Sequence, residues 1–265
     1  MIITPPDLKD IHQEDVVVKR AAVSDDPPPA YFSPPVSEAS TPAPPLTAPT
    51  PPDTIKPTNF LSLSRGNGSL KGTYVIDPRI KIPQPMLPPL ASDETESTRR
   101  NVFMHTSNGG IDVDIFVVGD GDFKRKVDML VKSSNGSITT RVHAPDAARP
   151  PINLKVQDSN GSITIHVPRS FRGPITIRSR HGSVKFSAGL STDLTTFSEA
   201  NQTHRCFVGD FSDWTDESDG WMGDEINVES SNGGVKLQYD VEPGVRDAES
   251  KGKGKGTFLG RFLGF

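Results

Sequence analysis

The sequence predicts an all-β protein, an irregular β-solenoid-like stack of Asn-Gly-turn repeats with disordered N- and C-terminal tails. Three observations carry this. A short phrase recurs six times, closing on Asn-Gly in five copies and on His-Gly in one, as in VKSSNGSITTRVH and VESSNGGVKLQY. Apolar residues alternate with period two on both sides of that pair, the pattern of a strand with one buried face. Proline-bearing links such as HAPDAARPPIN and HVPRSFRGPI separate the central copies, so each unit of 21 to 27 residues has one Asn-Gly corner and one proline corner. An antiparallel β-sandwich fits the same units and remains the alternative.

The chain begins with a segment that cannot build such a stack. Only 33% of the 265 residues are hydrophobic and the mean hydropathy is −0.43, so part of the chain forms no core. Residues 1–57 hold 14 of the 25 prolines among Ser, Thr, Ala and Asp, a composition predicting a disordered arm with local polyproline II. Within it, DDPPPAYFSPP places Pro28, Pro29 and Tyr31 in the Pro-Pro-x-Tyr order that WW domains read. Two prolines stack on an aromatic groove and the tyrosine fills a second pocket, so a WW-domain protein is the expected partner of the arm.

Residues 58–243 form the expected β-repeat domain. The turn glycines are Gly68, Gly109, Gly136, Gly161, Gly182 and Gly233. Seven positions before them stand Leu61, Val102, Met129, Leu154, Ile175 and Ile226; five before, Leu63, Met104, Val131, Val156, Ile177 and Val228. Two after stand Leu70, Ile111, Ile138, Ile163, Val184 and Val235. Five before and two after are seven apart, so in one uninterrupted strand these side chains would face opposite sides. A turn must therefore intervene at each Asn-Gly, either a two-residue hairpin or the corner of a solenoid. Asn-Gly suits both because each residue adopts positive φ readily, and His181 replaces asparagine in the fifth copy on the same expectation.

The ordered series NFLSLSRGNGSLKGTYVIDP, RRNVFMHTSNGGIDVDIFV, the central NGSI copies, VPRSFRGPITIRSRHGSVKFS, RCFVGDF and INVESSNGGVKLQY resembles an uncharacterised fungal domain family of unknown function. More remotely it is similar to adhesin-like β-solenoid domains. The resemblance implies an all-β fold over about residues 58–243 and supplies no catalytic residue, cofactor or established chemistry.

Residue chemistry points the same way, to a non-enzymatic scaffold or interaction module with no cofactor and no metal. His143 and His166 each follow an NGSIT strand and could neighbour one another, but they lack cysteine or carboxylate companions at a repeating offset and are expected as exposed strand-end residues. Cys206, between Arg205 and Phe207, is expected as a small buried thiol; as the single cysteine it excludes an internal disulfide. Gly119 and Gly121 in VVGDGDFK complete no phosphate-binding motif and are expected to form a turn. The segment GDFSDWTDESDGWMGDE crowds seven carboxylates around Trp214 and Trp221, with spacing unlike a calcium loop; it is expected as a solvated insertion whose tryptophans pack back onto a sheet edge. As a partner site it suits a basic surface.

Charge and targeting signals bound the setting. The chain has 29 basic and 33 acidic residues, a net charge of −4, which gives no case for nucleic acid. Without a signal peptide the expected location is cytoplasmic. Asn67, Asn135, Asn160 and Asn201 begin Asn-x-Ser/Thr sequons, so the alternative is a cell-surface adhesin-like protein with glycosylated turns, reaching the surface by an unconventional route. The last segment, 244–265, is expected to be a flexible tail. Its Lys251, Lys253 and Lys255 precede Phe258, Leu259, Phe262 and Leu263 at the spacing of one helical face, which suits weak contact with an anionic membrane.

Overall fold

Each copy of the repeat becomes two strands, one on either side of its glycine. The computed structural model describes residues 48–119, 125–144, 148–212, 214 and 221–242. In chain order the strands are β1 (Leu61–Asn67), β2 (Leu70–Ile76), β3 (Val102–Asn108), β4 (Ile111–Val117), β5 (Val127–Asn135), β6 (Ile138–His143), β7 (Ile152–Asn160), β8 (Ile163–Val167), β9 (Gly173–Ser179) and β10 (Val184–Phe186). Helix α1 (Ala188–Asp193) and strands β11 (Leu194–Ala200) and β12 (Thr203–Val208) interrupt the series, and β13 (Glu225–Asn232) and β14 (Val235–Tyr239) complete it. The fold is all-β, with one short helix and one 3-10 turn at Gln84–Met86 among the described residues.

The two strands of a copy never pair with each other. One joins an eight-stranded sheet in the order β1-β3-β5-β7-β13-β9-β12-β11, and the other a six-stranded sheet in the order β10-β14-β8-β6-β4-β2. Asn-Gly is therefore a corner between sheets and not a hairpin. Pairing between copies is parallel and in register: Leu61, Val102, Met129, Leu154, Ile226 and Ile175 lie side by side in one sheet. Leu70, Ile111, Ile138, Ile163, Val235 and Val184 do so in the other. These columns face each other in one continuous core. The sixth copy, β13 and β14, is inserted between the fourth and the fifth, so spatial order departs from chain order.

The corners correct the expected role of asparagine. Among the described non-glycine residues only Phe60, Asn201 and Gln202 have positive φ, so neither the repeat asparagines nor His181 use that freedom. The asparagines form a ladder instead. Asn108 Nδ2 donates to Asn67 Oδ1 at 2.9 Å, and Asn135 to Asn108, Asn160 to Asn135 and Asn232 to Asn160, each at 3.0 Å. Each side-chain amide has both a donor and an acceptor, so a column of them links copy to copy as the backbone does. His181 lies in the copy beyond Asn232, where the ladder ends.

The two ends of the stack differ. At β1 the position three before the glycine, buried and hydroxyl-bearing in most copies, is Arg65, whose Nη1 donates to Ser69 O at 2.7 Å. A charge at this exposed position of an edge strand opposes further strand addition. At the other end β12 runs antiparallel to β9 and β11 antiparallel to β12, which stops the parallel series. Asn201 and Gln202, with φ of 50° and 61°, close this two-residue hairpin, as a right-twisted ribbon requires. Helix α1 starts on Ser187, whose hydroxyl accepts from Leu190 N at 3.2 Å, and buries Leu190. Tyr239 Oη donates to Asp193 Oδ2 at 2.6 Å and ties the helix end to β14. The WW-binding candidates Pro28, Pro29 and Tyr31 lie outside the described residues. So do the tail candidates Lys251, Lys253, Lys255, Phe258, Leu259, Phe262 and Leu263.

Candidate interaction surface

The capped end gathers aromatic side chains that the core does not need. Phe207 on β12 points outward from Cys206 and Val208, which face the core, and is itself buried by neighbouring rings. Phe197 sits at the irregularity in the β11–β12 register between Thr196 and Ser198, on an edge strand. Phe211 follows β12 directly, and its ring meets Phe197 at 5.3 Å and Phe207 at 5.9 Å, both edge-on. Trp214 lies 6.1 Å from Phe207 and 5.5 Å from Trp221, which packs edge-on against Phe207 at 5.1 Å. Phe197, Phe207, Phe211 and Trp214 enclose a trough of about 320 Å³. Phe197 remains 58% exposed, and Phe211 and Trp214 each 45%, so the rings form a patch and not a closed core.

The acidic segment behind these rings is partly structural, which its sequence did not show. Asp224 forms a buried two-pronged pair with Arg149, both bonds at 2.6 Å, and also accepts from the backbone amides of Ile152 at 2.9 Å and Arg172 at 3.0 Å. It fastens the start of β7 and the link before β9 to the segment that enters β13. Trp221 Nε1 donates to Asp224 O at 2.7 Å, and its ring packs on Phe207 of β12, so the expected packing of a tryptophan on the sheet is present. Glu225 pairs with Lys126 at 3.3 Å. Exposed Asp210 accepts from Ser212 N, which holds its carboxyl below the usual range.

Histidines 143 and 166 are buried, 6% and 3% exposed, which corrects the expectation that they are exposed strand ends. Both occupy outward positions of the six-stranded sheet yet are covered. His143 stacks on Phe116 at 4.6 Å and places Nδ1 3.1 Å from Asp240 and Nε2 3.4 Å from Asp114. Burial alone would lower its pKa, but the two carboxylate hydrogen bonds outweigh it and hold the imidazole above its ordinary value. The same contact holds Asp114 low. With both nitrogens on carboxylates, the ring cross-links β4 to the end of β14. His166 lies against Gln238 Nε2, 3.0 Å from Nε2 of the ring. Among the described residues no group of three or more His, Cys, Asp or Glu side chains is arranged to hold a metal ion.

Cys206 is buried as expected, and burial pushes its thiol pKa up, away from nucleophilic character. Gly119 is described with φ of +127°, whereas residues 120–124 lie outside the described residues. No described helix is long and apolar enough to cross a membrane.

A second recess, of about 240 Å³, lies over β5, β7 and β13 between Lys132, Arg178, Arg180 and Glu229. Beneath it Asp158 breaks a pattern. The equivalent hydroxyls donate to glycine carbonyls of the corner: Thr106 to Gly68, Ser133 to Gly109, Ser230 to Gly233 and Ser179 to Gly182, at 3.0 to 3.2 Å. Asp158 is 4% exposed, and among the described residues no donor meets either carboxylate oxygen in good hydrogen-bond geometry, the Asn160 and Ser159 amides being near but poorly placed. Burial raises its pKa from 3.8 to about 6, against a smaller opposing pull from the amides of Asn160 and Ser159. The folded value exceeds the unfolded one, so the folded state keeps a proton that the unfolded chain has already lost. Stability from this group is fully present below about pH 4 and is lost as pH rises through about 6. Asp158→Ser should restore the donor and stabilise the protein at pH 7.5 by about 1–3 kcal/mol, with little gain at pH 4. Urea midpoints of both proteins at the two pH values check this. His143 titrates in the same direction but is common to both, so an equal difference at both pH values would refute the assignment.

The family described as Domain of unknown function (DUF7330) matches residues 59–242. No curated protein and no solved structure matches the chain.

Proposed function

Because the chain belongs to the DUF7330 family, a domain of unknown function, we propose its role from its own surface: a non-enzymatic β-repeat scaffold that binds protein partners at two places. The body is a solenoid-like stack of the six copies, a reading supported by parallel, in-register pairing and by the ladder of corner asparagines. The aromatic trough at the capped end is the observation that carries the proposal. Three large rings half exposed in one patch, beside a fully buried core, are the composition of a binding surface and costly to leave in water. The arm supplies the second place, where Pro28, Pro29 and Tyr31 recruit a WW-domain protein.

The ladder weighs against glycosylated turns. Asn135 and Asn160 each use Nδ2 for the neighbouring asparagine and for a backbone carbonyl, Ser107 O and Ser134 O respectively. A glycan on that nitrogen would replace one of its two hydrogens, so one of the two bonds would be lost.

Proximity labelling in cells by the full chain as wild type, Tyr31→Ala and Phe211→Ser tests the scaffold. Tyr31→Ala should remove WW-domain proteins from the labelled set, and Phe211→Ser a different group. Phe211 is half exposed, so its loss leaves the core intact. Identical sets from all three chains would remove the scaffold reading.

A further inference from the structure

We propose that the aromatic trough is the seat of the chain's own C-terminal stretch, with Phe258 and Phe262 as the inserted side chains. This rests on the trough being a binding surface and names what covers it in the free protein. The walls are the rings of Phe197, Phe207, Phe211 and Trp214. Such a lining selects aromatic or aliphatic groups over polar ligands.

Charge narrows the choice of occupant. From Cys206 to Val235 the sequence contains no Lys or Arg, and seven carboxylates fall between Asp210 and Glu225. Asp224 and Glu225 are paired with Arg149 and Lys126, whereas Asp210 stays exposed. The segment that follows β12 is therefore acidic by composition, with Arg205 on β12 and Arg172 beside Gly209 as the basic residues near its start. From Ser250 to Phe265 the chain has the opposite character, with Lys251, Lys253, Lys255 and Arg261 and no acidic side chain, and it carries phenylalanines at 258, 262 and 265. Opposite charge around an apolar contact favours this pairing and makes it salt-sensitive.

Reach permits the contact. The last described residue, Glu242, is held beside the start of α1: Ser187 Oγ donates to its carboxylate, and Tyr239 N donates at 3.1 Å. Helix α1, six residues and so about 9 Å long, runs directly into β11, which carries Phe197. The stretch from Glu242 to Phe258 extends to about 50 Å, several times that helix.

The chain reports on this site by itself, since its only two tryptophans, Trp214 and Trp221, both belong to the aromatic cluster. In the full chain, Phe258→Ser/Phe262→Ser should shift tryptophan emission to the red and raise the acrylamide quenching constant about twofold or more. One molar salt should move the wild type part of the way. A peptide of residues 249–265 added to the double variant should reverse the change. The substituted positions are not in the described strands, so the double variant should still fold, with a thermal midpoint lowered only by the loss of the docked tail. Emission and quenching that ignore the double substitution would overturn the proposal. So would a wild-type dimer that the double variant dissolves, because a second copy would then supply the occupant. Salt-dependent, tail-dependent binding to phosphatidylserine vesicles with unmoved tryptophans would assign the stretch to membranes instead. If Phe211→Ser still alters the labelled set while the tryptophans ignore the tail, the occupant is wrong and the binding surface stands.

Discussion

Replacing Ile163 by aspartate should destabilise the fold by about 4 kcal/mol or more, a large part of the 5–15 kcal/mol that a domain has available. Ile163 is fully buried on β8, flanked in register by Ile138 and Val235. A carboxylate there either loses its water without a partner or expels the strand. Lys155 on β7 is exposed, so Lys155→Asp provides the matched control and should cost less than about 1 kcal/mol. Urea unfolding followed by circular dichroism measures both. Equal midpoints would refute the assignment of inward and outward columns.

A methyl group at Gly136 should cost about 3 kcal/mol, though alanine is one of the smallest changes available. The backbone there has φ of +149°, and an added Cβ would collide with the Gly109 carbonyl and lie 2.8 Å from Gly110 N. These contacts are backbone to backbone and cannot be relieved by a rotamer. The glycines of successive corners stack, with Gly161 against Gly136 and Gly233 against Gly161, so strain at one corner is passed to its neighbours. Gly66 on edge strand β1 has open space around its Cβ position, and Gly66→Ala should shift stability by less than about 1 kcal/mol. A thermal midpoint that falls no further for Gly136→Ala than for Gly66→Ala would show that the corners have room, and the close-packed column would be wrong.

Much of the body was readable because its signals are local. Side-chain parity repeats every two residues, so Met129, Val131 and Ile138 had to share a buried side once a turn stood between them, and all three are fully buried. Cys206 followed from its apolar neighbours in the same way. The prolines of residues 1–57 and the alternating lysines of the tail are likewise properties of composition, and they set the expectations for both segments before any fold is considered.

Other features depended on contacts between copies. Strand order is set by backbone amides that look alike in every copy, so nothing local announced that β13 would enter between β7 and β9. The use of asparagine was misread because its side-chain ladder exists only when Asn108, Asn135 and Asn160 are stacked; a single turn offers only the φ argument. His143 and His166 stand at outward positions, where alternation predicts water, and only the fold brings Phe116, Asp114, Asp240 and Gln238 over and around them. The trough joins Phe197 to Trp214 across a hairpin whose turn residues, Asn201 and Gln202, carry a weak signal. Sequence alone determined which apolar side chains of the repeat leave water, because their burial follows from local period and composition. Tertiary structure decided which copies touch and which aromatics remain at the surface, because those depend on backbone pairing between segments tens of residues apart.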